Sequence, residues 1–322
     1  MRDWAAPVGI DCDHPVVALD RGHALLVAFG TYQAFDGGYA QQEGVVVKYS
    51  PAGAELWSAS DTPLSGHGFE ISGIATGPGS QVCVTGSISS SASDTDIGTM
   101  MFAADGTVRW ASNWNNTSVG IGDAFDYGQA VCTLPGGDVA VAGYSATEFG
   151  DNEERDTVLI RYDGSGLEKW VQLRDDGRHD VDALLDVVYA GGNLYAGGWG
   201  TAASGYDGGL LESYTAAGAF RWSSWWTGPG PGYAEVDALA VAGGKLYFGG
   251  CVPVGSGAAL GVGCASPATG HISWTTTYDK NGTWLLGSVW RMAVVRGKSI
   301  FVAGTARRPD DSRMAVAVRF KP

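Results

Sequence analysis

Short apolar runs punctuated by glycine and aspartate recur along the whole chain. Ala24–Phe29, Val45–Tyr49, Val139–Ala142 and Val158–Tyr162 are bounded in this way, which is the signature of strands. No long stretch combines helical periodicity with cap signals at both ends. The pattern predicts an all-β protein. A tryptophan then recurs at Trp57, Trp110, Trp170, Trp222 and Trp274, at intervals of 53, 60, 52 and 52 residues. Each follows a small-residue turn that ends in glycine, at Gly53, Gly106, Gly166, Gly218 and Gly270. A repeat near 50 residues implies stacked units that share a continuous core.

Each unit reads as four strands. The second ends on a glycine in every copy: Gly30, Gly86, Gly143, Gly198, Gly250 and Gly304. A variable loop leads to a third strand, as in Gly44–Tyr49, Thr157–Tyr162, Gly209–Tyr214 and Ala315–Phe320. The glycine turn and the tryptophan strand follow. Six second strands face only five internal tryptophans, and Trp4 makes up the difference. Arg319-Phe320-Lys321-Pro322 aligns with Lys48-Tyr49-Ser50-Pro51, so Met1-Arg2-Asp3-Trp4 provides the fourth strand that should come next. The expectation is a single domain over residues 1–322, a six-bladed β-propeller of four-stranded blades. Its last blade is closed by the N-terminal strand, which leaves no free sheet edge. The tryptophans are expected to fill the space between adjacent outer strands, each burying about 150–250 Å².

The succession of strand, Gly-ended strand, Lys/Arg-Tyr strand and Gly-turn-Trp strand resembles the bacterial beta-propeller repeat family often labelled seven-bladed. Asp123–Trp170 is the copy most similar to it, and the resemblance spans nearly the whole chain. Six copies depart from that family's seven. Pro267-Ala268-Thr269-Gly270-His271-Ile272-Ser273-Trp274 also resembles a quinoprotein-type blade, in this one unit only. Both resemblances imply a propeller fold, and neither transfers a catalytic residue or a quinone cofactor.

A net charge of −14 and a pI near 4.6 exclude a nucleic-acid partner, which needs clustered Lys and Arg. They equally argue against an anionic membrane surface, and no apolar run is long enough to cross a bilayer. A monomer is expected. Met1-Arg2-Asp3-Trp4 enters the first repeat element without a signal peptide. That fits either a cytoplasmic protein or a secreted, extracytoplasmic one whose export segment was removed. Of five cysteines, Cys83 and Cys132 read as buried hydrophobes. Cys251 and Cys264 flank a hairpin and could face each other across it.

Any site is expected on the face that bears the blade-to-blade loops, at the channel mouth. Counting back a fixed distance from each second-strand glycine puts His14, Glu70, Tyr127, Asp182, Ala234 and Ser288 at one level. Three residues on, Asp237 and Arg291 stand where other units have Val17, Gly73, Ala130 and Leu185. This opposite-charge pair is either a channel salt bridge or an anion holder, Arg291, oriented by Asp237. His14, His67 and His179 fall at strand starts on the same face, with Asp123, Asp126, Asp180 and Glu235 nearby. Imidazole with carboxylate suits zinc, iron or manganese, while solvated or hydrogen-bonded imidazoles are the plain alternative. Asp94-Thr95-Asp96 and Asp151–Asp156 offer oxygen ligands to calcium, although neither fits a known calcium loop. A divalent metal, calcium or zinc, is thus the candidate cofactor.

Aromatic residues outside the repeat lie in the same loops. Trp114, Trp225 and Trp226 follow fourth strands, and Tyr233, Trp284 and Trp290 lead into first strands. Rings in Gly/Pro-rich loops on a rigid scaffold suit ligand contact. No GxSxG elbow, Walker loop, dinucleotide fingerprint or HExxH is present. The leading reading is a binding propeller for a saccharide, peptide or small organic ligand. The alternative is a hydrolase, lyase or isomerase using Asp182, Glu70, Asp237 or Tyr127, with Arg291 holding an anionic group.

Overall fold

The computed structural model describes residues 12–35, 38–60, 68–91, 94–117, 125–146, 154–174, 181–201, 207–227, 232–254, 257–278, 286–295, 299–307 and 312–321. Contacts divide the chain into two compact units. The first holds Met1–Glu154 with Val158–Leu173, and the second Arg155–Thr157 with Arg174–Pro322. Among the described residues no helix is long and apolar enough to cross a membrane.

The first unit is built from antiparallel meanders. One comprises β1 (Cys12–Leu19), β2 (Leu25–Phe35), β3 (Gly38–Tyr49) and β4 (Glu55–Ser60). The next runs through β5 (Phe69–Thr76), β6 (Val82–Ser91), β7 (Asp94–Phe102) and β8 (Val108–Trp114). A single parallel pairing, Thr95 with Phe125, ties it to β9 (Phe125–Thr133), β10 (Val139–Ala146), β11 (Arg155–Tyr162) and β12 (Glu168–Arg174).

The second unit repeats the plan. One sheet is β13 (Ala183–Ala190), β14 (Asn193–Thr201), β15 (Asp207–Thr215) and β16 (Phe220–Trp226). Another is β17 (Glu235–Ala242), β18 (Lys245–Val254), β19 (Gly257–Ala265) and β20 (Ile272–Tyr278). The last has three strands among the described residues, β21 (Leu286–Val295), β22 (Ser299–Arg307) and β23 (Arg313–Phe320). Met1–Trp4, expected as its fourth strand, lie outside the described residues.

First strands of consecutive sheets lie side by side, β1 with β5 and β5 with β9 in one unit, β13 with β17 and β17 with β21 in the other. The core accordingly sits between sheets. Leu26, Ala28 and Val46 pack on Phe69, Val84 and Met100, and Leu211 and Trp222 pack on Val236, Leu239 and Phe248.

The tryptophan and the turn glycine of the repeat turn out to be two halves of one contact. Trp57 lies on Gly106 of the next sheet, Trp110 on Gly166, and Trp222 on Gly270. All three glycines have positive φ, 88°, 87° and 72°, a region that side chains avoid. A Cβ on Gly106 or Gly166 would stand 2.7 Å from the indole. Trp57 also donates its ring N–H to the Ala104 carbonyl (2.9 Å), and Trp222 donates to Pro267 (3.2 Å). Each ring therefore spans two sheets, as a wedge with a fixed seat.

The basic residue of the Lys/Arg-Tyr strand is also structural. Lys48 pairs with Asp20 in the β1–β2 turn at 2.9 Å, both side chains nearly buried, and Arg161 pairs with Asp138 in the β9–β10 turn at 2.5 Å.

Two expectations are corrected by register. The repeat glycines Gly86, Gly143, Gly198 and Gly250 do not end their strands but lie inside β6, β10, β14 and β18. Cys251 pairs with Leu260 and Cys264 with Tyr247, so the two do not face each other, and both thiols are free.

The wedge contact makes a direct prediction. Gly166→Ala should destabilise the protein by about 1–3 kcal/mol, the range of overpacking with backbone strain. Gly191→Asn, in a turn with open space around it and φ of 58°, should change stability by less than about 0.5 kcal/mol. Urea midpoints of the two variants check both values.

Candidate acid–base site

The interior glycines explain how first strands present polar side chains. A Cβ at Gly86, Gly143, Gly198 or Gly250 would stand 1.7, 1.9, 1.8 or 1.8 Å from the carbonyl oxygen of Glu70, Tyr127, Ala183 or Glu235. Glycine lets the first strand press against the second there, and each first strand carries a β-bulge next to it. The register slips between Ile71 and Gly73, Ala130 and Gly128, Leu184 and Asp186, Val236 and Ala238, and Val289 and Arg291. A bulge re-aims side chains near its extra residue.

In the second unit those re-aimed positions are charged. Asp186 accepts hydrogen bonds from its neighbour Val187 N–H (2.9 Å) and, across to the next sheet, from Leu239 N–H (2.7 Å). Asp237 repeats the move one sheet on and accepts from Val289 N–H at 2.9 Å. Ser72 of the first unit does the converse, donating its hydroxyl to the Gly128 carbonyl. These side chains latch first strands together.

The carboxyls do more than latch. Burial pushes Asp186 up to about 6, against the Leu239 N–H, the Arg291 guanidinium and the Val187 N–H, all of which favour the anion. Asp237 is raised well above the ordinary range, first by burial and then by the neighbouring Glu235 carboxylate, with Asp186 adding to it. Asp237 and Glu235 stand two residues apart on β17, and the Glu235 charge together with burial favours the protonated form of Asp237. Glu235 also accepts the Tyr233 hydroxyl and stands opposite Cys251 in the β17–β18 register. Burial, then Glu235, drives both the Tyr233 hydroxyl and the Cys251 thiol upward, so both stay protonated. The Tyr233 ring is edge-on to Trp199, centroids 5.6 Å apart. The group is Asp237, raised beside Glu235, a third carboxyl, Asp186, raised to about 6, and the Arg291 guanidinium, whose charge favours the Asp186 anion.

This arrangement redraws the expected ring. Glu70, Tyr127 and Ser288 pair with the residue just after their glycine, but so do Ala183 and Glu235 rather than Asp182 and Ala234. The cause is hairpin length. β13–β14 and β17–β18 turn on Gly191-Gly192 and Gly243-Gly244, all with positive φ, whereas β5–β6 and β9–β10 take longer 3₁₀ turns. A fixed count therefore slips by one residue, which moves a strand side chain to the opposite face. His14 is off by two residues, because Cys12 pairs with Thr31. Arg291 is likewise level with Asp186 rather than Asp237, and Asp186 is the carboxyl whose proton affinity it lowers.

The remaining expected residues scatter. Glu70 is exposed, and Tyr127 stacks on Tyr144 with centroids 4.9 Å apart. Trp114 is half-buried against the core around Trp110. Trp226 is 4% exposed and edge-on to Phe248, so its ring is core and not a ligand platform. Asp182 and Trp225 come together, but in a separate cavity. His67, His179, Asp123, Asp180 and Trp284 lie outside the described residues, as do the side chains of His14 and Trp290. Asp96, expected as an oxygen ligand, accepts the amides of Asn113 (2.5 Å) and Asn115 (2.7 Å). Among the described residues no three His, Cys, Asp or Glu are placed to hold a metal ion.

No family model matches the chain, and no curated protein matches it in sequence. Solved structures do match in fold. The GH93 α-L-arabinofuranosidase of Fusarium graminearum, solved with arabinobiose, has a TM-score of 0.59 at 10% identity, covering 98% of this chain and 95% of that one. The α-L-arabinanase of Penicillium chrysogenum, also with arabinobiose, has a TM-score of 0.52 at 11% identity over 98% and 95%. An N11 neuraminidase-like protein of A/flat-faced bat/Peru/033/2010 has a TM-score of 0.50 at 10% identity over 97% and 88%. At such identities the likeness concerns architecture alone, and it makes this chain an all-β protein of the propeller type.

Proposed function

We propose that the chain is a saccharide-directed propeller enzyme that hydrolyses a glycosidic bond with the carboxyl group of its second unit. The observation that carries this reading is the grouping of Asp237, Glu235 and Tyr233, in which Tyr233 donates to Glu235 and Val289 N–H to Asp237, and burial beside the Glu235 carboxylate favours a proton on Asp237. In the proposed step the pair gives that proton to the leaving oxygen as the anomeric C–O bond breaks. Water adds to the anomeric carbon, and the proton it loses returns to the carboxylates, restoring the pair. Asp186 supplies the second carboxylate and Arg291 a donor for a ring substituent. The solved propellers with arabinobiose bound support a saccharide as the substrate class.

The alternative, binding without turnover, has its support in the absence of any acid–base motif from the linear sequence. The count of six blades, with Met1–Trp4 completing the β21–β23 sheet, belongs to the proposal too. Its support is the three-strandedness of that sheet among the described residues and the sequence match of Arg319–Pro322 to Lys48–Pro51. If it holds, Trp4→Ala and Trp57→Ala should each lower the melting temperature. An unchanged melt would remove the closing strand.

Turnover is tested with a panel of 4-nitrophenyl glycosides. Asp237→Asn and Glu235→Gln should each reduce kcat/KM by roughly 10²–10⁴, the range of a lost general acid, with circular dichroism unchanged. Rates in both variants equal to that of the natural chain, or no hydrolysis of any glycoside by the natural chain, would overturn the reading.

The proton affinity of Asp186 is tested separately, through stability. Its folded value, about 6, lies above the ordinary 3.8, so the folded state binds the proton more tightly than the unfolded one. That contribution is fully present below about pH 4 and fades as pH rises through about 6. The melting temperature of the natural chain, relative to Asp186→Asn, should therefore fall between pH 4 and 7. A constant difference over that window would show that Asp186 is not raised.

A further inference from the structure

A second polar group lies apart from Glu235 and Asp237, on the β13–β16 sheet, the start of β11 and the end of β12. Thr157, Arg174, Asp182, Glu212, Ser223 and Trp225 surround a cavity of about 220 Å³. All belong to the second unit. We propose that this cavity is a binding site for one neutral sugar ring.

The side chains are built in, not draped over the surface. Glu212 and Asp182 are 2% and 5% exposed. Arg174 pairs with Glu212 at 2.5 Å, and Tyr214 donates its hydroxyl to the other Glu212 oxygen at 2.8 Å. The guanidinium itself is seated over the Phe220 ring, 4.1 Å from its centroid. Burial raises the Glu212 carboxyl above its ordinary value, against Arg174 and Tyr214. Sheet packing does not ask for that cost. Counting back from the third-strand tyrosine, Glu212 stands where Val47 and Ile160 stand in other sheets.

Gly200 completes the cradle. A Cβ there would stand 1.8 Å from the Asp182 Oδ1 and 3.2 Å from the Trp225 ring. The bare backbone at this point is what lets carboxylate and indole meet.

The chemistry selects the ligand. Two carboxylates against one guanidinium disfavour an anion. Carboxylate oxygens accept paired hydroxyl hydrogens, Arg174 donates and the Ser223 hydroxyl donates or accepts beside them, and an indole covers the C–H face of a ring. The volume is below the ~300–1,000 Å³ of drug-sized pockets, which fits a single ring and not a chain. This site goes beyond the hydrolytic reading and stands without it.

The test uses the full chain and saturation-transfer NMR with methyl glycosides of glucose, galactose, mannose and xylose, with methyl glucuronide as the anionic control. At least one neutral glycoside should bind and outcompete the glucuronide. Trp225→Ala should weaken it about tenfold, and Gly200→Ala should do the same by filling the cradle. Asp237→Asn should leave this binding unchanged, so failure of turnover and failure of this site read out separately. If Gly200→Ala does not fold, Trp225→Ala decides. No binding of any neutral glycoside at about 50 mM, tighter binding of the glucuronide, or unchanged affinity in Trp225→Ala would each overturn the proposal.

Discussion

The structure depends on an indole resting against a glycine that only glycine can occupy. The tryptophan belongs to the outer strand of one sheet, and the positive-φ glycine to the next sheet's hairpin. Sheets that otherwise meet through non-directional apolar packing are thereby held at a fixed offset. A buried ring of this size contributes through its area, and the N–H groups of Trp57 and Trp222 also find a carbonyl in the same hairpin, at Ala104 and Pro267. The spacing of the tryptophans and the glycine before each of them are thus two views of one contact. The glycine serves the tryptophan of the preceding sheet as well as its own turn.

A second use of glycine governs the first strands. Where Gly86, Gly143, Gly198 and Gly250 sit, the neighbouring carbonyl approaches so closely that any side chain would collide. The first strand answers with a bulge, and the bulge frees one or two side chains from the strict alternation of a strand. In the first unit the freed positions carry Ser72 and Gln129, beside Gly73 and Ala130. In the second they carry Leu185 and Asp237, beside Asp186 and Ala238, with Arg291 level with Asp186. One backbone device yields a neutral latch in one unit and a charged group in the other, and sequence alone decides which.

The all-β class, the strand order within each sheet and the tryptophan repeat were legible in the chain, because strand length and turn chemistry are local properties. The site was legible only in part, because facing depends on register. Asp237, Arg291, Glu235 and Tyr233 were recognisable as polar or aromatic residues near first-strand starts. Their grouping was not, since two hairpins are shorter than the others and a one-residue slip reverses every facing assignment. Asp186 went unrecognised for that reason: the fixed count placed Leu185 at its level. Glu212 carried a usable signal, a carboxylate inside the apolar run Leu210–Tyr214, but Arg174 and Thr157 came from a different sheet and no spacing could have joined them to it. Trp226 shows the reverse error. Its Gly/Pro-rich loop suggested exposure, yet the ring still belongs to the strand and alternates into the core.

Whether the carboxyl group of the second unit is a by-product of folding can be judged from the equivalent positions. At the level of Asp186, other sheets have Gly73, Ala130 and Ala238, and at the level of Asp237 they have Ser72, Gln129 and Leu185. Small or neutral residues therefore satisfy the bulge, and the adjacent sheets pack around them without difficulty. A buried carboxyl is costly unless paired, and two side by side are costlier still. Leu239 N–H and Val289 N–H recover part of that cost, but an amide or hydroxyl side chain could accept the same bonds without the charge. The latch explains an acceptor at these positions. It does not explain why the acceptors are acids, why a third acid and a tyrosine converge on them, or why the one basic residue at this level, Arg291, is on the neighbouring strand. The proposed proton transfer would account for all three.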